Sequence, residues 1–118
     1  THLSTVLNGW IFAVFGLFDY VKLSNDKMYK VILEKTLNTL KNNLEKFDNG
    51  YWSKYNMDKA IASPFYHKLH IAQLDVLYKL FGFQEFKHYR DLWNDYARNK
   101  TYKTRAFIVK AYQKLTEN

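Results

Sequence analysis

The chain has 118 residues, no cysteine and a formal charge of +7, from 18 Lys and Arg against 11 Asp and Glu. This length supports one compact core, so we expect a single domain over residues 1–118. The lack of cysteine excludes disulfides, thiolate zinc sites and cysteine nucleophiles, and it leaves the compartment open. The positive charge favours an anionic partner such as an acidic polysaccharide, a nucleic acid or a lipid surface.

Helical periodicity dominates the pattern of apolar residues. The chain has four glycines and one proline, which leave few positions for β-turns. Apolar residues instead recur every three or four positions over long windows, which predicts an all-α fold. A first helix is predicted over about 4–22, and no continuous apolar run within it reaches the roughly 20 residues that span a bilayer. The apolar face of this helix comprises Trp10, Val14, Leu17 and Val21.

A second helix is predicted from Asn25, as its cap, to about Phe47. Asp48-Asn49-Gly50 then ends it, because Gly tolerates a positive φ and Asp and Asn favour turns. Residues 48–63 are predicted to form a structured loop, with an extended piece or hairpin arm at 51–55. The apolar stripe of the second helix comprises Leu33, Leu37, Leu40, Leu44 and Phe47.

Three further helices follow the loop. Ser63-Pro64 is a helix-start signal and Gly82 a helix end, which predicts a third helix over about 64–81. Periodicity predicts a fourth over about 84–98 and a fifth over about 104–116. Their apolar faces comprise Phe86, Tyr89, Trp93 and Tyr96 in the fourth, and Phe107, Ile108, Ala111 and Leu115 in the fifth.

Five helices joined by short connections predict antiparallel α-hairpins, which suit part of an α/α toroid. In such a toroid, the loop at 48–63 and the start of the third helix would meet at the pocket. Tyr66, His70 and Gln73 form a polar stripe there, and the same helix direction becomes apolar further on. We interpret this stripe as the mouth of a pocket.

Several kinds of chemistry find little support in the residues. His67 and His70 are spaced i, i+3, but the general base of a helical zinc motif is missing and only the distant His88 or His2 could supply a third ligand, so no metal is predicted. The four glycines form no phosphate-binding loop. Ser53 and Ser63 have no recognisable base, and Ser63 is explained as a helix cap. Phenolic proton transfer remains, although a structural role is commoner for any single tyrosine.

Three blocks of sequence resemble the D-glucuronyl C5-epimerases, specifically their C-terminal helical domain. The first runs from Val6 to Phe12 and continues with Gly16-Leu17-Phe18-Asp19, similar to the family's Leu-Asn-Gly helix. The second comprises Phe47 to Gly50 followed by Trp52 to Tyr55, similar to an aromatic-Asp turn that leads to a functional tyrosine. The third, Tyr66 to Leu74, resembles a Tyr-His-x-x-His-Ile stretch.

The resemblance implies that the chain helps to invert C5 of a uronic acid in a heparosan-like glycosaminoglycan, without an organic cofactor. Tyr55 and Tyr66 match the two family tyrosines implicated in proton transfer. The link between them is shorter than in the animal enzymes, which makes Tyr51 the substitute for Tyr55. The expected substrate contacts are Asn8, Lys54, His67, Lys68 and His70, with the two lysines attracting the polyanion.

The family also uses a Glu-Tyr pair just upstream of the Leu-Asn-Gly block and β-rich N-terminal parts. We therefore expect the chain to be a C-terminal piece of a larger epimerase, with the rest of that parent as its partner and little activity alone. A homodimer is compatible with this interpretation.

The sequence is also compatible with two other functions. One is a non-catalytic domain that binds acidic glycans, and the other, less favoured, is a helical nucleic-acid-binding module. The basic residues available for the latter are Arg98, Lys100, Lys103, Arg105 and Lys110.

Overall fold

A computed structural model describes residues 5–117 as five α-helices joined by short turns and one longer loop. The helices are α1 (Leu7–Ser24), α2 (Lys27–Asn43), α3 (Pro64–Phe81), α4 (Gln84–Arg98) and α5 (Lys100–Thr116). A short 3-10 turn, Leu44–Phe47, continues α2 into the loop at 48–63. The all-α prediction is confirmed: pairing between extended residues is limited, in the described part of the chain, to isolated bridges around this loop.

Most of the helix pairs that pack together are neighbours in sequence, and α1 with α3 is the exception. The pairs in extensive contact are α1 with α2, α1 with α3, α3 with α4, and α4 with α5. This order places α3 in the middle, between α1 and α4. Helix α3, which carries the polar stripe, therefore packs against elements from both halves of the chain.

Capping residues explain where the helices begin and end. Ser63 caps α3 by accepting a hydrogen bond from the backbone N–H of Tyr66 at 3.2 Å, and Gly82 ends that helix with a φ of 76°, as predicted. The prediction that Asn25 caps the second helix is wrong. Asn25 instead ends α1 in a left-handed conformation, with φ of 55°, and the carboxylate of Asp26 caps α2.

Three predicted helices also differ from the structure in their bounds. The first begins at Leu7, after an extended Val6, and ends at Ser24, whereas about 4–22 was predicted. The second helix is α-helical only to Asn43 and then tightens into the 3-10 turn that ends at Phe47. The fifth begins at Lys100, four residues earlier than predicted, because the side chain of Asn99 accepts a hydrogen bond from the N–H of Tyr102.

The core confirms most predicted apolar faces. All five members of the α2 stripe are buried, as are Phe86, Trp93 and Tyr96 of α4. Helix α5 is the exception, because Phe107 and Leu115 are 66% and 82% exposed while Ala106 is buried. The prediction for this helix assumed that its larger apolar side chains form the packed face. The packed residue is instead the small Ala106, which allows α5 to lie close to the rest of the domain. No helix within residues 5–117 is long and apolar enough to cross a bilayer.

Candidate functional site

The loop at 48–63 is folded by backbone hydrogen bonds. The N–H of Lys54 donates to the carbonyl of Phe47 at 2.7 Å, and the N–H of Tyr55 donates to that of Ala60 at 2.8 Å. The N–H of Leu7 donates to the carbonyl of Tyr55 at 3.0 Å, which ties the loop to the start of α1. Tyr55 thus stands on a fixed segment, and the prediction of a structured, partly extended loop is confirmed.

Tyr55 and Tyr66 form an aromatic pair at the start of α3. Their ring centroids are 5.4 Å apart and the rings meet edge to face at 63°. Both side chains are half-buried and line one cavity of about 360 Å³. The structure therefore brings together the two tyrosines that the sequence singled out for proton transfer. Tyr51, the substitute for Tyr55, is buried and stacks against Arg105 instead.

Helix α5 supplies cations to the same cavity. Lys110 and Lys114 both line it, and the Nζ of Lys110 lies 5.7 Å from the centre of the Tyr55 ring. Burial lowers the pKa of Lys110 from its usual value. The cavity is completed by Asn56, Ala60, Ser63 and Glu117.

A larger cavity, of about 830 Å³, lies between the start of α1 and the end of α2. Gly9, Trp10, Thr39 and Met57 are among the residues that line it, and neither candidate tyrosine does. Because proton transfer needs titratable groups facing a common space, we place the candidate site at the smaller cavity.

Behind the tyrosines, Ser53 connects the two histidines of the polar stripe. Its Oγ lies 2.8 Å from Nδ1 of His67 and 2.8 Å from Nδ1 of His70, and all three side chains are fully buried. The indole of Trp52 stacks on the His67 ring with 3.8 Å between centroids. Sequence reasoning gave Ser53 no partner, because the histidines lie 14 and 17 residues further along the chain.

Hydrogen-bond geometry assigns the tautomers in this network. The backbone N–H of Ser53 points at Nδ1 of His67 at 3.2 Å, so that nitrogen accepts and Nε2 donates to the carbonyl of Trp93 at 2.8 Å. The Ser53 hydroxyl then donates to His67 and accepts from Nδ1–H of His70. Burial lowers the pKa of His67 to about 4 and that of His70 to about 3. Both imidazoles are neutral near pH 7 and brace the loop against α3.

The other predicted site residues are spread around the pair. Asn8 is half-buried, and its backbone carbonyl accepts a hydrogen bond from the Gln73 side chain at 3.1 Å. Lys54 is half-buried and reaches the carbonyl of Met57 at 3.5 Å, whereas Lys68 is exposed. The polar stripe is therefore present, but only Tyr66 of its members lines the tyrosine cavity. Substrate contacts by Asn8, Lys54, Lys68 and the two histidines stay predictions.

The residues described show no cluster of three or more His, Asp or Glu side chains that could hold a metal ion. His2, a distant candidate for a third ligand, lies outside the described residues.

Residues 1–95 match the family described as D-glucuronyl C5-epimerase C-terminus. The chain belongs to this family. The match covers all three sequence blocks and the helices α1 to α3, and it ends within α4. Family membership confirms the resemblance on which Tyr55 and Tyr66 were selected.

Helix α5 lies beyond the part of the chain that matches the C5-epimerase family. Lys114 was not predicted as a site residue, and Lys110 was assigned only to a basic cluster. Neither has a sequence signal beyond its charge, since their position depends on how α5 folds back over the loop. Only the structure shows that the two lysines lie at the same cavity as the tyrosine pair.

Proposed function

We propose that this chain is the helical domain of a uronyl C5-epimerase that acts on a heparosan-like acidic polysaccharide. The observation that carries this proposal is the pairing of Tyr55 and Tyr66 in one cation-lined cavity, in a chain that belongs to the epimerase family. The positive charge of the chain agrees with a polyanionic substrate.

Inversion at C5 takes two proton transfers on opposite faces of the sugar. One tyrosine, as phenolate, removes the C5 proton, and the electron pair of the broken C–H bond moves into the adjacent carboxylate. The hydroxyl of the other tyrosine then delivers a proton to the opposite face of C5 and becomes the phenolate. Atoms and charge balance without an organic cofactor, and the phenols exchange roles for the reverse direction.

The contact between the two rings constrains how the sugar binds. Centroids 5.4 Å apart in an edge-to-face arrangement leave no room for a pyranose between the aromatic faces. The hydroxyl groups, rather than the ring faces, must therefore reach C5. We propose that the open side of the cavity is the binding surface.

We further propose that the domain works within a larger epimerase and forms part of its α/α toroid. The family resemblance supports this, since it implies a Glu-Tyr pair upstream of the Leu-Asn-Gly block. The rest of the parent would then supply the remaining groups around the sugar.

The test is deuterium incorporation at C5 of a heparosan-type substrate in D₂O, measured for the parent protein beside this chain. The proposal predicts exchange by the parent. Binding of the polymer without exchange would reject epimerase activity and favour the non-catalytic glycan-binding function.

The nucleic-acid alternative gains little from the structure. Of its five basic residues, Arg105 stacks on Tyr51 with 4.1 Å from its Cζ to the ring centre, and Lys110 lines the tyrosine cavity. Arg105 lines a separate surface cavity with Lys100, and Lys110 is not among the residues that line it.

A further inference from the structure

Hydrogen bonds hold helix α5 against the loop that carries Tyr55. The side-chain amide of Gln113 makes two hydrogen bonds to this loop: its Oε1 accepts from the N–H of Ile61 at 3.1 Å, and its Nε2 donates to the carbonyl of Lys59 at 2.7 Å. One side chain thus satisfies a donor and an acceptor of the backbone, which fixes both the position and the rotation of the helix.

Lys110 shares a helix face with Gln113, three residues further on, and with Lys114, four residues further on. Within residues 5–117, neither lysine makes an ion pair. Among the described residues, Glu117 is the one acidic residue that lines the cavity with them. The charged residues that line this side of the cavity therefore carry a net positive charge, and the ammonium groups of both lysines are available to bind an anion.

We propose that Lys110 and Lys114 bind the carboxylate of the uronate unit whose C5 faces Tyr55 and Tyr66, and that Gln113 positions them by holding α5 on the loop. This inference rests on the proposed function. It adds a carboxylate site from a helix outside the family match.

Inversion at C5 would increase the negative charge on the carboxylate that these lysines bind. Removing the proton beside a carboxylate adds a second negative charge to that group, so a half-buried ammonium near it stabilises the transition state more than the ground state. Lys110 is half-buried, and the lowering of its pKa by burial is relieved when an anion binds beside it.

The test compares the affinity of the 118-residue chain for two probes by titration calorimetry. One probe is a heparosan-derived tetrasaccharide, and the other is the same tetrasaccharide with its carboxylates reduced to primary alcohols. We expect the unaltered chain to prefer the uronate probe, and Lys110→Gln to weaken uronate binding about tenfold while leaving the reduced probe within about twofold. Lys110→Arg should restore most of the preference, and Lys114→Gln should lower it in part.

The matched control is Lys35→Gln, which removes the same charge from an exposed position on α2. It should weaken uronate binding less than twofold. Equal affinity of the unaltered chain for the two probes, or equal effects of Lys110→Gln and Lys35→Gln, would overturn the inference.

Parallel measurement of C5 exchange separates this inference from the proposed function. Loss of uronate preference in Lys110→Gln without C5 exchange by the parent would uphold the carboxylate site and reject the epimerase activity. Exchange by the parent with an unchanged preference in Lys110→Gln would uphold the activity and reject the carboxylate site.

Discussion

At the residue scale, Ser53 determines how the loop at 48–63 meets α3. Its hydroxyl satisfies one nitrogen on each of His67 and His70, and its backbone N–H adds a further bond to His67. The i, i+3 spacing of the histidines could be predicted from the sequence. Their partner could not, because a serine 14 residues before His67 becomes its neighbour only through the path of the loop.

Replacing Ser53 with Ala should lower the free energy of unfolding by about 1–3 kcal/mol, since it leaves the buried Nδ1–H of His70 without an acceptor. Urea unfolding monitored by circular dichroism measures this change. Ser24→Ala, at an exposed serine at the end of α1, should change stability by less than about 0.5 kcal/mol. Equal effects of the two substitutions would show that the network contributes nothing.

Acidification should destabilise the domain before its carboxylates titrate. The pKa values of His67 and His70 are about 4 and about 3 in the folded state and near 6.5 when unfolded, so the unfolded chain binds more protons below pH 6.5. Stability is therefore present above pH 6.5 and is lost as the pH falls toward 4. Between pH 7.5 and 5.5 the loss should be about 2–3 kcal/mol.

Urea midpoints across this pH range measure the loss. His88→Gln, which alters an exposed histidine on α4, should leave the pH dependence unchanged. A free energy of unfolding that stays constant from pH 7.5 to 5.5 would contradict the neutral, buried state of the two imidazoles.

At the element scale, local signals and packing differ in what they allow one to predict. The bounds of α3 could be predicted because Ser63-Pro64 and Gly82 act through nearby backbone groups. The packed face of α5 could not, because Phe107 and Leu115 satisfy a helical apolar pattern and yet face outward. The orientation of α5 depends instead on Gln113 and on the small Ala106, neither of which stands out in the sequence.

Gln113→Ala should loosen α5 from the loop without unfolding the domain. The N–H of Ile61 loses its acceptor in this variant, so its hydrogen exchange should become about tenfold faster while α3 amides keep their protection. Hydrogen exchange followed by NMR measures the protection of the Ile61 amide and of the α3 amides. Gln84→Ala, at an exposed position on α4, serves as the control and should leave Ile61 unaffected. Unchanged protection at Ile61 in Gln113→Ala would show that the amide does not hold the helix.

At the scale of the whole molecule, five helices bring a phenol pair, a buried histidine network and two lysines to one end of α3. The phenols lie in the part of the chain that matches the family, and the fold of α5 brings the lysines to them. All-α architecture follows from periodicity, whereas the composition of the cavity depends on contacts between segments far apart in sequence.

The proposed proton-transfer role of the tyrosine pair is tested most directly by the rate of deuterium incorporation at C5 of a heparosan-type substrate in tyrosine variants of the parent protein. Tyr55→Phe and Tyr66→Phe should each slow exchange at least about 100-fold, because each removes a proton-transfer group and keeps the ring. The parent protein carrying Tyr20→Phe, a change on the surface of α1, should catalyse exchange at the same rate as the unaltered parent. Exchange by Tyr66→Phe at the rate of the Tyr20→Phe control would contradict the account.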